Sequence, residues 1–166
     1  LSVLEDGTLY IALINRNFVF QTDLLYKSTD NGLTWEEVQL PGLSLLASLI
    51  IRDMHWFDSQ NGLLLGSPFF LGQKGFVYQT SDGGESWNSI ELPEWPYKAT
   101  TFGHVNSLDM AFNENEGLIT GGGGNILSTE DGGTTWQSLR APIPDLNDIH
   151  MVDNENGLAV GHDGHI

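Results

Sequence analysis

The chain has 166 residues, 22 acidic against 6 basic side chains, a formal net charge of −16 and no cysteine. These numbers exclude a partner read through its phosphates, an anionic membrane surface, a disulfide scaffold and a thiolate metal site. Hydrophobic residues make up 40% of the chain, enough for the core of one domain, and the longest near-apolar stretch, Leu43 to Ile51, falls far short of the ~20 residues that span a bilayer.

Taken in chain order, the sequence reads as short strands broken by Gly, Asn and Asp, with almost no helical periodicity. The first unit runs Leu1–Leu4, a turn at Asp6-Gly7, Thr8–Ile14, a loop, Asp23–Thr29 and Trp35–Leu40. Between its last two strands sits Ser28-Thr29-Asp30-Asn31-Gly32-Leu33-Thr34-Trp35. The same pattern, Ser/Thr-x-Asp-x-Gly-x-Ser/Thr-Trp, returns as Thr80-Ser81-Asp82-Gly83-Gly84-Glu85-Ser86-Trp87 and as Thr129-Glu130-Asp131-Gly132-Gly133-Thr134-Thr135-Trp136. The three aspartates are about 50 residues apart, the period of a propeller blade.

A second element recurs between the boxes. Apolar strands at Ile50–Phe57, Ser107–Phe112 and Asn147–Val152 each lead through a polar turn into Gly62–Gly66, Gly117–Gly121 and Gly157–Gly161. Each unit therefore holds four strands, which predicts four-stranded antiparallel blades of an all-β propeller. Approximate blades fall at 1–42, 43–93, 94–141 and 142–166. The last is expected to be cut, because Gly164-His165-Ile166 matches Gly124-Asn125-Ile126 before the third box. About three and a half blades are counted, so a partial propeller is expected, with the rest of the ring in the parent chain.

Within each box the chemistry is that of a turn. An Asp carboxylate accepts backbone N–H groups a few residues on. Gly32, Gly84 and Gly133 stand where the chain needs a positive φ. The hydroxyls of Ser28, Thr80 and Thr129, and of Thr34, Ser86 and Thr135, satisfy the remaining turn groups, and Trp35, Trp87 and Trp136 seal the hairpin base. After each Trp, apolar residues fall at the third and fifth positions: Val38 and Leu40, Ile90 and Leu92, Leu139 and Ala141. Asp30, Asp82 and Asp131 are thus structural, since catalysis does not need one carboxylate three times over.

These segments resemble Asp boxes, the repeats of bacterial neuraminidases. The fuller pattern of apolar strand, polar turn, Gly-Leu-x-x-Gly, short Gly turn, strand and box most resembles the photosystem II assembly-factor-like propellers. That resemblance implies a sialidase-like propeller with the boxes at the blade periphery, and a non-enzymatic binding or assembly module of a secreted or periplasmic bacterial protein. Sialidases hold a substrate carboxylate with three arginines and carry a Phe/Tyr-Arg-Ile-Pro segment. Only Arg16, Arg52 and Arg140 are present here, none followed by Ile-Pro. A glycoside hydrolase of the sialidase or xyloglucanase type, completed by further blades, is the alternative; a sortilin-like receptor piece is a weaker third reading.

The expected working face is the set of loops leading into the first strand of each blade. It brings Arg52, His55, Trp56, His104, Asp148 and His150 near the central channel. Trp95 and Tyr97 lie in a loop whose aromatics suit a sugar ring or a peptide. No catalytic residue is assigned: Glu94, Asp109, Asp145 and Asp148 are loop or strand-end acids without a distinguishing pair. No metal is expected, since the five histidines lack metal-ligand spacing and the Asp58–Gly62, Asn113–Gly117 and Asp153–Gly157 turns lack the calcium-loop pattern. Gly121–Gly124 reads as a strand connection rather than a phosphate loop. No cofactor is expected. The partner is a protein or a glycan, not nucleic acid and not a membrane.

Overall fold

The computed structural model describes residues 1–13, 23–40, 49–68, 75–93, 105–110, 115–121, 125–140, 146–152 and 156–161. Among them are β1 (Ser2–Val3), β2 (Leu9–Leu13), β3 (Leu24–Ser28), β4 (Glu36–Val38), β5 (Leu49–Trp56), β6 (Gly62–Pro68) and β7 (Phe76–Thr80). There follow β8 (Asn88–Ile90), β9 (Val105–Met110), β10 (Gly117–Gly121), β11 (Asn125–Thr129), β12 (Gln137–Arg140), β13 (Leu146–Met151) and β14 (Gly157–Gly161). No helix occurs among the described residues.

Consecutive strands pair antiparallel into sheets β1–β4, β5–β8 and β9–β12, with β13 and β14 forming a pair. The first strands of the sheets lie beside one another, β1 by β5, β5 by β9 and β9 by β13. That is the arrangement of propeller blades around an axis, with β1, β5, β9 and β13 innermost. The chain is therefore all-β and forms an arc of four-stranded blades, as its repeat predicts.

Blades stack face to face, and this explains the Gly-Leu-Leu-Leu-Gly run in β6. Successive side chains point to opposite faces, yet Leu63, Leu64 and Leu65 are all fully buried. Leu64 faces the first blade and packs in a cluster with Tyr10, Leu25, Val38 and Trp56. Leu63 and Leu65 face the third and join Val77, Leu92, Ile119, Leu127 and Trp136. Each such leucine contributes about 1.5–3 kcal/mol by leaving water.

The box folds the same way three times. In the first, Ser28 Oγ donates to Asp30 Oδ1 at 2.8 Å and accepts the Gly32 N–H at 2.8 Å. Asp30 also accepts the Thr34 N–H at 2.9 Å and the Thr34 hydroxyl at 2.6 Å. Asp82 and Asp131 hold Ser86 and Thr135 in the same way. Two successive residues take positive φ in each box: Asn31 and Gly32, Gly83 and Gly84, Gly132 and Gly133. Asn tolerates this region better than other side chains, which is why it can stand for the first glycine. The Trp35 and Trp136 indoles donate to the carbonyls of Gly32 and Gly133. Trp87 instead leaves its indole N–H without an acceptor and meets Trp56 edge-on at 5.9 Å.

The strand after each box departs from the expected pattern in one place. Val38 and Leu92 are buried, but Leu139 is 46% exposed. Val38 is covered because it reaches the box of the next blade, at Gly84. Ala141 lies outside the described residues.

Candidate functional site

The innermost strands carry a feature that alternation does not anticipate. In β5 the ladder jumps from Ile51 opposite Gly66 to Asp53 opposite Leu65, which leaves Arg52 as the extra residue. In β9 Asn106 is the extra residue and in β13 Asn147, at the equivalent register. A bulge adds one residue to one strand, bends it and re-aims the side chains that follow. The carboxylates beside two of these bulges help hold them: Asp53 Oδ1 accepts the Met54 N–H at 2.8 Å and Asp148 Oδ1 accepts the Ile149 N–H at 2.9 Å.

Beyond the bulge, alternation sorts the residues. Met54 and Trp56 turn into the core between the first two blades, and Ile149 is likewise buried. Asp53 and His55 take the opposite side, that of their partners Leu65 and Leu63, and Asp148 and His150 take that of Val160 and Leu158. The pairings of His55 with Leu63 and of His150 with Leu158 place the two histidines at the same point of their blades. Asp148 and His150 are exposed, as is Arg52. His55 rests edge-on against Phe57 at 4.9 Å.

Trp56 does not join this face. It is 7% exposed and stacks on Tyr10 at 3.6 Å, with the ring planes 10° apart. Adjacent residues in a strand point to opposite faces of the sheet, and Trp56 takes the face packed against the first blade. Trp95, Tyr97 and His104 lie outside the described residues; of the described ones, Arg52 and Asp53 line one cleft, while His55, and Asp148 with His150, sit at matching register points of the second and fourth blades.

Where the first and second blades meet, Ala12, Asp23, Ile51, Arg52, Asp53 and Met54 line a cleft of about 250 Å³. Asp23 is 3% exposed, and its Oδ2 accepts the Ile51 N–H at 2.9 Å across the joint. Sequence reasoning passed over Asp23. Its signal is positional: the residue before the corresponding strand of the other units is Gly75 or Gly124, and only the first unit puts an acid there.

Away from the channel, the box carboxylates are strongly held. Hydrogen bonds from Thr34, and after them Ser28, bring Asp30 down to about 2; those from Ser86 and Thr80 do the same for Asp82. Thr135 lowers Asp131 in the same sense. Groups so firmly ionised at the blade periphery suit structure rather than proton transfer. Among the described residues there is no cluster of three or more His, Asp or Glu able to hold a metal.

No curated protein sequence matches the chain. Among solved structures, a YCF48 bound to a D1 peptide is 25% identical with a TM-score of 0.50, over 72% of this chain and 38% of that one. A Dyadobacter fermentans protein of unknown function is 14% identical with a TM-score of 0.62, over 95% of this chain and 47% of its own. A Trypanosoma rangeli sialidase solved with the inhibitor DANA is 15% identical with a TM-score of 0.57, over 96% of this chain and 28% of its own. The last two likenesses show the fold alone. The chain thus spans less than half the length of each of these structures. Residues 27–140 match the family described as photosynthesis system II assembly factor YCF48, and since that match covers more than half of the sequence, the chain belongs to the YCF48 family.

Proposed function

We propose that the chain is a non-enzymatic binding module that holds an extended protein segment against the wall of β5, β9 and β13. The observation that carries this reading is the bulge repeated at one register in three neighbouring inner strands. It makes the wall irregular and polar at a fixed height, which is how bulges commonly serve sites. Asp53 and Asp148 each accept a backbone N–H, a use that suits a fixed surface better than acid–base chemistry. The YCF48 solved with a D1 peptide supports a protein partner. The carboxylates and the net charge of −16 favour a segment that carries Lys or Arg, because complementary potentials guide and orient association.

Fluorescence anisotropy with labelled extended peptides of matched length, one Lys/Arg-bearing and one Glu-bearing, tests the reading. The basic peptide is expected to bind more tightly, and less so at high salt. Asp148→Asn is expected to weaken it by about tenfold, the effect of one charge-assisted contact. Equal affinity for both peptides, binding of glycans alone, or turnover of a glycoside would overturn the proposal.

A further inference from the structure

The joint between the first two blades departs from the repeat at two positions, and both border the same cleft. Ala12 lies opposite Leu25, Leu65 opposite Val77 and Thr120 opposite Ile126. Leu25, Val77 and Ile126 each stand three residues before the first hydroxyl of a box, so Ala12, Leu65 and Thr120 are equivalent. Val160 completes the set, opposite Asp148 as Leu65 is opposite Asp53. Leu65 is fully buried in the second joint, between blades two and three. In the first joint the alanine leaves most of that volume out.

The second departure is Asp23, which stands where blades two and three have Gly75 and Gly124. The second joint forms with a glycine there, so the fold does not call for an acid. Asp23 nevertheless is 3% exposed, and its Oδ2 accepts the Ile51 N–H of β5 at 2.9 Å. A carboxylate withdrawn this far from water favours a cation beside it.

The cleft takes Leu1, Ser2, Ala12 and Asp23 from blade one and residues 51–54 from β5, so both of its sides belong to this chain. Two acids and one base are in the lining; Asp23 is buried and Arg52 is exposed. Its volume of about 250 Å³ is below the about 300–1,000 Å³ of sites for drug-sized ligands, a size for one side chain. Ala12, Ile51 and Met54 give it an apolar wall. An apolar wall with a carboxylate matches a side chain that has an apolar stem and a charged tip.

We propose that this cleft anchors one Lys or Arg side chain of the protein segment held on the inner wall, the stem along Ala12, Ile51 and Met54 and the cation at Asp23. This rests on the reading of that wall as a protein-binding face, and it adds the kind of residue anchored and the place. The two departures from the repeat act together: the alanine makes the room and the aspartate supplies the charge.

Fluorescence anisotropy with the labelled Lys-bearing peptide, and with versions in which each Lys in turn is norleucine, reads the result. Norleucine keeps the stem and removes the charge. One such replacement is expected to weaken binding at least tenfold, and to cost nothing further in an Asp23→Asn variant. Ala12→Leu installs the residue that blade two uses, and is expected to reduce affinity for the Lys peptide by at least tenfold. Arg52→Gln removes a like charge from the lining and is expected to raise that affinity, a gain that a merely structural role would not produce. Circular dichroism checks each fold; if Asp23→Asn unfolds, Ala12→Leu and Arg52→Gln carry the test. Binding that ignores Ala12→Leu and Arg52→Gln, or norleucine losses that persist unchanged in folded Asp23→Asn, overturns the anchor and leaves the wall standing. No binding by any peptide overturns the wall, and the anchor with it.

Discussion

At the scale of single residues, the box is a hydrogen-bonding device built from a hydroxyl and a carboxylate. Thr80 is 1% exposed, and its Oγ1 accepts the N–H of Gly84 while donating to Asp82. The glycine N–H is thereby satisfied in a place water does not reach. Asp82 then gathers the Ser86 N–H and hydroxyl. This gives the box a pH signature of definite sign. In the folded chain Asp30 and Asp82 sit at about 2, against an ordinary 3.8, so the native state favours their ionised form. That contribution is complete above the unfolded value and is lost as pH falls from about 4 to 2. The urea midpoint of an Asp82→Asn variant is expected to lie below wild type at pH 7 and to converge on it near pH 2. Two curves that stay parallel over that range would show that Asp82 carries none of the acid sensitivity. Comparing the pair cancels the relief of charge repulsion, which acts on both.

At the scale of elements, stability resides in the joints between blades, and the second joint offers a clean cycle. Leu63 is fully buried and Gly133 lies directly under it. Leu63→Ala is expected to cost about 2–5 kcal/mol, the usual range for a buried leucine. Gly133→Ala forces a Cβ into Leu63 at a φ of +84°, and overpacking of this kind costs about 1–3 kcal/mol. In the Leu63→Ala background only the backbone strain remains. The double variant should therefore be more stable than the sum of the singles by about 1 kcal/mol or more, measured by urea denaturation. Strict additivity would mean the two residues do not touch in solution. These joints were legible as repeats but not as contacts: the positions that meet lie about 45 to 75 residues apart, and period alone does not say which blade fills which box. The bulges left a trace that simple alternation conceals. Ile51, Met54 and Trp56, then Val105, Leu108 and Met110, then Leu146, Ile149 and Met151 share a spacing of three and then two. A strand with regular period two would keep it at two. Read that way, the sequence already places Trp56 in the core and His55 on the opposite face of its blade, with His150 at the same point of the fourth. Asp23 was hidden for a different reason, because its role is to bridge two blades and appears only once.

At the scale of the molecule, the dominant quantity is charge. Box and strand patterns specify the propeller; they say nothing of why 22 acidic residues face only 6 basic ones. Among the described residues most of this charge is on the surface, where Glu36, Glu37, Glu85, Glu91 and Glu130 are exposed. Such an imbalance works against the compact state through self-repulsion, and salt relieves it within a Debye length of about 10 Å at 0.1 M. The argument fixes a sign. If repulsion outweighs local ion pairing, raising NaCl from 20 to 500 mM at pH 7 raises the thermal midpoint by a few °C, about what 1 kcal/mol does for a domain of this size. The gain should vanish near pH 4, where protonation of the carboxylates removes the repulsion. A midpoint that falls with salt would mean that Lys27, Arg52 and the other few cations are each held by attraction strong enough to decide the balance. The acidic surface would then act as a set of local clamps, and the wall proposed to hold a peptide would have lost the long-range field that favours a basic segment.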